Sequence, residues 1–197
     1  VWSLSNLSLI KTMVLEPGPR GNEHFDPAEP RVLKDGKTVL ISTFFCGLYR
    51  VKDIESRAPS IEWVYSFDFN DKYDCAIPVV NGDYWIQAVG SKTAIVSLNV
   101  SNPSNPTKAF ELKFNTGEWP HWIALEPGGN RLVVTGNNRL KNTLLIVDVD
   151  KKTGKMSFDR SFRDKRTGKL GFSFDRFDWP HGLSLIHISE PTRRDQI

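Results

Sequence analysis

The sequence predicts an all-β protein, on two observations. Apolar and polar residues alternate with a period of two, in runs rich in β-branched and aromatic residues, over most of the 197 residues. Each run is bounded by Gly, Pro, Asn or Asp, and no long segment holds a helical period. The composition, 39% hydrophobic and 25% charged, is that of an ordinary globular protein, so we do not expect a disordered chain.

The alternation predicts eleven strands. In chain order they cover residues 39–44, 47–52, 61–69, 76–80, 84–89, 94–100, 108–114, 122–126, 131–135, 143–148 and 156–162. Four connections carry turn residues: Asp35-Gly36, Asn81-Gly82, Pro127-Gly128 and Thr153-Gly154. Proline pre-sets its own φ and glycine can take a positive φ, so these pairs favour tight turns between strands.

The strands recur in sets of four, with a period of roughly 45 to 60 residues. Complete sets cover residues 24–69, 74–114 and 119–163; residues 1–15 fit the last two strands of a preceding set, and residues 177–182 open a further one. Four-stranded sheets repeated at this spacing are typical of a β-propeller. The sequence therefore predicts a partial β-propeller of four-stranded antiparallel blades over residues 1–182, about three and a half blades of a seven-bladed ring.

The repeat stops abruptly after its last opening. Trp119-Pro120-His121-Trp122 runs on into a strand, a turn and a second strand, whereas Trp179-Pro180-His181-Gly182 is followed by LSLIHISEPTR, which fits no repeat. Those eleven residues resemble the translation, in one reading frame, of a transposase-adapter end used in sequencing libraries. We therefore expect residues 183–197 to be a non-native tail, and we leave them, with His187, out of the fold prediction.

Two stretches carry a resemblance to known proteins. WPHWIALEPGGNRLVVTGNN (residues 119–138) resembles the YVTN-type propeller repeat, and LNVSNPSNPTKAFEL (residues 98–112) resembles the loop between outer strands of such repeats. Most of residues 1–182 is thus similar to the class that contains YVTN/lactonase-like, quinoprotein amine dehydrogenase-like and selenium-binding (methanethiol oxidase) propellers. The selenium-binding family is nearest, through His121 and the Gly-Asn-Arg-Leu turn at 129–132, although its adjacent-histidine and paired-cysteine motifs have no counterpart.

One position in each repeat, at the start of the innermost strand, carries a candidate ligand: His24, Cys75, His121 and His181. They are 51, 46 and 60 residues apart, so in a propeller we expect them to surround one mouth of the channel. Imidazole and thiolate bind Cu or Zn, and the resemblance implies a metal-dependent oxidase. The alternative is that these side chains only pack or bond to neighbouring loops.

Other residues near these positions have candidate roles. Acidic groups that could orient a ligand or act as a general base are Glu23, Asp26, Asp74, Glu118 and Asp178. Trp119, Trp122 and Trp179 could line an aromatic pocket, and the alternative is that they pack between blades. Arg50 and Arg131 could hold an anionic substrate, and the alternative is that they are solvated strand residues. Cys46, at the end of a second strand, is expected to be a small buried residue, with a reactive thiol as the alternative. Two cysteines are too few for a disulfide scaffold.

Several function classes lack support. The formal charge is only +3, and the basic run at 151–169 is interpreted as a solvated hairpin, so no nucleic-acid partner is expected. No apolar run approaches the roughly 18 residues of a membrane span. The sequence has no GxSxG, HExxH, GxGxxG or Walker motif, so no nucleotide cofactor is expected.

The remaining alternatives concern partners and compartment. A small-molecule substrate or a protein partner is expected at the channel mouth of a monomeric full-length protein. Besides the oxidase, the alternatives are a non-enzymatic propeller that binds a protein or glycan, and a lactonase-like hydrolase that uses carboxylates with a hard cation. Residues 1–4 already resemble the middle of a strand, so the natural start is expected upstream and the compartment, periplasmic or secreted among others, stays open.

Overall fold

A computed structural model describes residues 1–68, 75–115, 119–136 and 143–174. Within those ranges the chain consists of strands, turns and loops, which confirms the all-β prediction. None of these described residues forms a helix that is long and apolar enough to span a bilayer. The strands form three antiparallel sheets of four in chain order, which we call blades I, II and III of a partial β-propeller.

The blades have the following strands. Blade I contains β1 (Pro27–Val32), β2 (Val39–Thr43), β3 (Gly47–Lys52) and β4 (Ser60–Ser66). Blade II contains β5 (Val79–Asn81), β6 (Tyr84–Val89), β7 (Ala94–Asn99) and β8 (Thr107–Lys113). Blade III contains β9 (Pro120–Leu125), β10 (Arg131–Gly136), β11 (Thr143–Val149) and β12 (Met156–Phe158), and β13 (Phe172–Ser173) pairs with the start of β11.

Two of the differences from the predicted strands have local reasons. β1 was not predicted because it contains Pro27 and Pro30, residues that depress strand propensity. β1 is an edge strand whose register with β2 shifts between these two prolines, so their missing N–H groups interrupt little of the ladder. β12 is shorter than the predicted 156–162 because the carboxylate of Asp159 accepts a bond from the Ser161 amide (2.8 Å) and starts a turn.

Blade II lies between the other two and is covered on both faces. Successive side chains of a strand point to opposite faces, so β6 contributes to two cores. Trp85 and Val89 pack with residues of blade I, whereas Ile86 and Ala88 pack with residues of blade III. All six residues of β6 are buried, which fits a strand that serves both interfaces.

Polar contacts also join blades II and III, at the end of the sheets where the β1–β2 turn lies. The Tyr84 hydroxyl donates to the carbonyl of Lys152 (2.7 Å), and the Asn81 amide donates to the carbonyl of Gly129 (2.8 Å). Gly154 has a φ of 68°, and a Cβ there would lie 2.5 Å from the Tyr84 ring. Both the turn and the close approach therefore require glycine at this position.

The segment that was predicted to supply two strands of a preceding blade is less regular. Residues 1–15 contain one isolated antiparallel bridge, between Trp2 and Leu9. Leu4 is 90% exposed and Trp2 is 62% exposed. The segment pairs with none of the strands in the described part of the chain, and most of its large apolar side chains are exposed.

This exposure predicts association of the 197-residue chain in solution. Apolar side chains of residues 1–14 and Trp122 on the outer face of blade III are open to contact with other molecules. We expect oligomers or aggregates by size-exclusion chromatography with light scattering, and a Leu4→Ser, Leu7→Ser variant should associate less. A monodisperse monomer with one cooperative melting transition would contradict this prediction.

Candidate functional site

Three of the four predicted ligand positions lie at one end of the stacked sheets, the end at which the chain enters β1, β5 and β9. We call this the mouth end. His24 precedes β1 by three residues, Cys75 precedes β5 by four, and His121 is the second residue of β9. His181 lies outside the described residues.

Cys75 is bonded to Cys46 in a disulfide, with the two Cα atoms 5.1 Å apart. Cys46 lies in the turn between β2 and β3 of blade I, so the bond joins this turn to the segment that leads into blade II. Both cysteines are buried, with at most 1% exposure. In this state Cys75 has no thiolate to offer a metal, which counts against its predicted role as a ligand. Cys46 is buried as predicted, and it is cross-linked to Cys75.

His24 is half-buried beside two aromatic rings. The imidazole lies 4.1 Å, between ring centroids, from Phe25, which in turn lies 5.4 Å from Phe45. The Nδ1 atom of His24 is buried and has no hydrogen-bond partner among the described residues. A buried nitrogen of this kind is a site where a bound group could supply the missing partner.

Glu23, next to His24, is fully buried, yet its carboxylate is well supplied with donors. The Arg20 backbone N–H donates to Oε1 at 2.9 Å and to Oε2 at 3.1 Å, and the Ser66 hydroxyl donates to Oε1 at 2.8 Å. Burial alone raises the pKa of Glu23, but the Arg20 and Ser66 hydrogen bonds outweigh it and the pKa lies below the ordinary 4.5. Glu23 is therefore a buried anchor, which argues against its expected role as a general base.

The Arg20 side chain fastens the same loop, residues 16–26, which we call the lead-in loop. Its guanidinium donates to the carbonyls of Phe45 and Phe67, each at 2.9 Å. Gly47 has no room for a side chain, because a Cβ would lie 2.6 Å from the carbonyl oxygen of Glu23. The lead-in loop thus fits closely against blade I and fixes the approach to β1.

His121 stands at an irregular point of β9. Thr135 pairs with Trp122 and Gly136 pairs with Pro120, so His121 is skipped in the pairing between β9 and β10. Burial lowers the pKa of the His121 imidazole below its ordinary value of 6.5. His121 is therefore neutral near pH 7 and can accept a proton there.

Two partly exposed indoles flank His121. The Trp122 ring centroid lies 6.0 Å from that of His121, and Trp122 is 53% exposed. Trp119 is 40% exposed and crosses Gly90 so closely that a Cβ at Gly90 would overlap its indole ring. Glycine at position 90 therefore allows Trp119 its place at the mouth end.

The described residues do not assemble the predicted ligand set. Among residues 1–68, 75–115, 119–136 and 143–174, no group of three or more His, Cys, Asp or Glu is arranged to hold a metal ion. Asp26 is exposed with a φ of 51°. Other predicted members of the site lie outside the described residues: Asp74, Glu118, Asp178, Trp179 and His181.

The candidate anion-binding arginines are paired within the protein. Arg50 Nη2 lies 2.6 Å from Glu62 Oε1, and Arg50 Nη1 donates to the Ser104 hydroxyl at 2.6 Å. Arg131 lies 3.7 Å from the carboxylate of Glu126. An open pocket of about 690 Å³ beside Arg50 is lined by the β1–β2 and β3–β4 turns, so it lies at the end opposite the mouth end.

The chain matches no protein-family model and no curated protein. Its similarity is to solved structures. A hypothetical selenium-binding protein from Sulfolobus tokodaii superposes with a TM-score of 0.56 at 11% identity, over 75% of this chain and 41% of that one. The periplasmic gluconolactonase of Pseudomonas aeruginosa gives 0.54 at 13% identity, over 67% and 38%.

A protein from Bacteroides fragilis, provisionally assigned as a 6-phosphogluconolactonase, gives a TM-score of 0.55 at 16% identity, over 68% of this chain and 38% of its own. The chain thus spans about two fifths of the length of these structures. At such low identity the likeness carries information on fold and not on activity. Its four-stranded antiparallel blades and its likeness to lactonase-like structures make the chain part of a β-propeller.

Proposed function

We propose that this propeller binds a small ring-shaped substrate of the sugar-lactone class at its mouth end and hydrolyses it. The supporting observation is the neutral imidazole of His121 beside the exposed indole of Trp122, with the partly exposed indole of Trp119 two residues earlier in the chain. Indole faces offer broad apolar surface to the C–H face of a sugar ring. The fold shared with the gluconolactonase of Pseudomonas aeruginosa suggests the substrate class.

In the proposed reaction His121 acts as a general base. Its unprotonated nitrogen takes a proton from a water molecule while the water oxygen attacks the lactone carbonyl. The ring C–O bond then breaks, the former ring oxygen takes up a proton, and the product is the open hydroxy acid. Above its lowered pKa the imidazole is available for this step, so kcat/KM should rise with pH through that pKa, below 6.5, and level off above it.

The test uses the full-length gene product and glucono-δ-lactone, with the uncatalysed rate subtracted. We expect His121→Gln to lower kcat/KM by about 10²- to 10⁴-fold, the usual contribution of a general base. Trp122→Ala should act mainly on KM. Lys37→Ala, an exposed change at the opposite end, is the matched control and should have no effect.

One outcome would redirect the proposal. Activity that survives His121→Gln but is lost when mouth-end carboxylates are replaced would favour the alternative of a lactonase that uses carboxylates with a hard cation. The carboxylate replacements should begin with Asp26, which is exposed and lies among the described residues near the mouth end.

A second candidate is a metal-dependent oxidase of the selenium-binding type. Its support is the buried, unpartnered Nδ1 of His24, since a Cu or Zn ion could occupy that position and His121 and His181 occupy equivalent positions in other repeats. The donor set fits such an ion only in part, because the sulfur of Cys75 is held in the disulfide. These residues would hold the ion, and the ion would supply redox or Lewis-acid chemistry.

Metal analysis by mass spectrometry distinguishes the candidates. Stoichiometric Cu or Zn in the full-length protein that disappears in a His121→Ala, His181→Ala double variant would favour the oxidase. If the full-length protein has neither a bound metal nor lactonase activity, the result would favour the non-enzymatic propeller. In that case the exposed indoles bind a protein or glycan partner, and the histidine variants retain that binding.

A further inference from the structure

The turn between β2 and β3 forms hydrogen bonds with the backbone on both sides of His24. The Thr43 hydroxyl donates to the backbone carbonyl of Glu23, and the Phe44 N–H donates to the carbonyl of Asp26 at 2.9 Å. These two bonds enclose the His24-Phe25 dipeptide. The backbone position of His24 is therefore set by residues 43–46, which we call the latch turn.

Side chains strengthen the same connection. The Phe25 ring contacts the Phe45 ring edge-on, and the His24 imidazole lies against Phe25. The Arg20 guanidinium donates to the carbonyl of Phe45, so the lead-in loop contacts the latch turn from its other side as well. A displacement of the latch turn would move His24 with it.

The latch turn is itself tied to blade II through Cys75. The Cys75 N–H donates to the carbonyl of Phe44 at 3.2 Å, beside the Cys46–Cys75 bond. Cys46 has a φ of 64°, in the left-handed region that residues other than glycine rarely adopt. Surrounding contacts must hold such a residue in place, and the covalent bond is the strongest of them.

We propose that the Cys46–Cys75 disulfide controls the position of His24, so that its reduction disorders one side of the mouth-end site. The inference goes beyond the proposed function, because His24 takes no part in the proposed lactone hydrolysis. Reduction by a dithiol transfers two electrons and two protons to the bond, which yields the two cysteine thiols and the oxidised dithiol. Because both cysteines are buried, blades I and II must separate locally before a thiolate can attack.

The experiment follows the histidine ring resonances of the full-length protein by NMR. The oxidised protein is compared with the dithiothreitol-reduced protein and with a Cys46→Ala, Cys75→Ala variant, and a His24→Gln variant assigns the His24 signal. We expect the His24 signal to shift and broaden on loss of the disulfide while the His121 signal stays in place.

The matched control is Tyr84→Phe, which removes an inter-blade bond to Lys152 at the opposite end of the sheets. It should lower the melting temperature without moving the His24 signal, which separates the local effect from a general loss of stability. An unchanged His24 signal in the cysteine variant would overturn the inference and leave the disulfide a purely stabilising bond. If the signal moves but no variant hydrolyses lactones, the inference holds and the proposed function fails.

Discussion

Replacing Glu23 with alanine is expected to lower the free energy of unfolding by roughly 3 kcal/mol. The change removes the acceptor for the Arg20 backbone N–H and the Ser66 hydroxyl. Glu23 is fully buried, so water cannot replace the carboxylate without opening the lead-in loop. Chemical denaturation of the full-length protein, at constant m-value, measures the loss.

Two further variants make this result specific. Glu62→Ala removes a carboxylate that is also paired, with Arg50 and Lys52, but is about one third exposed; its loss should be at most about 1 kcal/mol. Equal losses for Glu23→Ala and Glu62→Ala would contradict the prediction. Glu23→Gln keeps the size and one of the two acceptor oxygens, so we expect an intermediate loss.

The lowered pKa of Glu23 also predicts a pH dependence. A carboxyl group with a folded pKa below its unfolded value contributes stability above the unfolded value, near 4.5, and that contribution disappears as the pH falls through the folded pKa. The difference in stability between wild type and Glu23→Gln should therefore shrink in acid, below about pH 4.5.

Strands that are buried on two sides could be predicted from the sequence. β6 (Tyr84–Val89) and β3 (Gly47–Lys52) have the predicted bounds, since aromatic and β-branched residues recur along both and neighbouring turn residues limit their ends. β1 could not be found this way because its pairing depends on its position at a sheet edge, where proline is tolerated. Whether a proline-containing segment such as β1 forms a strand depends on its place in the sheet, and the local sequence pattern does not specify that place.

The site shows the same division. The repeat alignment assigned His24, Cys75 and His121 to equivalent positions, and the structure places all three at the mouth end. The repeat alignment did not reveal that Cys75 lies against Cys46, because this contact joins the β2–β3 turn of blade I to the segment before blade II. A signal was present: the two cysteines, 29 residues apart, both fall where a strand meets a mouth-end connection. The anchoring of Glu23 had no comparable signal, since its donors come from backbone geometry and from Ser66.

Removal of the Cys46–Cys75 bond is the second change with a large expected effect. The bond closes a loop with a sequence separation of 29, and the chain-entropy model gives roughly 3 to 4 kcal/mol for a loop of that size. Cys46→Ala, Cys75→Ala should therefore lower the free energy of unfolding of the full-length protein by that amount. The fold should persist, because the core between blades I and II also contains Trp85, Leu48 and Leu98, which are fully buried.

The origin of this effect can be tested separately from its size. Dithiothreitol should lower the denaturation midpoint of the wild type and leave that of the cysteine-free variant unchanged. A cross-link that acts on the unfolded chain should also give the oxidised protein a smaller m-value, because a restrained unfolded chain exposes less surface. A loss below about 1 kcal/mol would show that the unfolded chain is already restrained, or that the bond is strained in the folded protein. A buried disulfide with the expected effect would favour folding in an oxidising compartment, where such bonds form and persist.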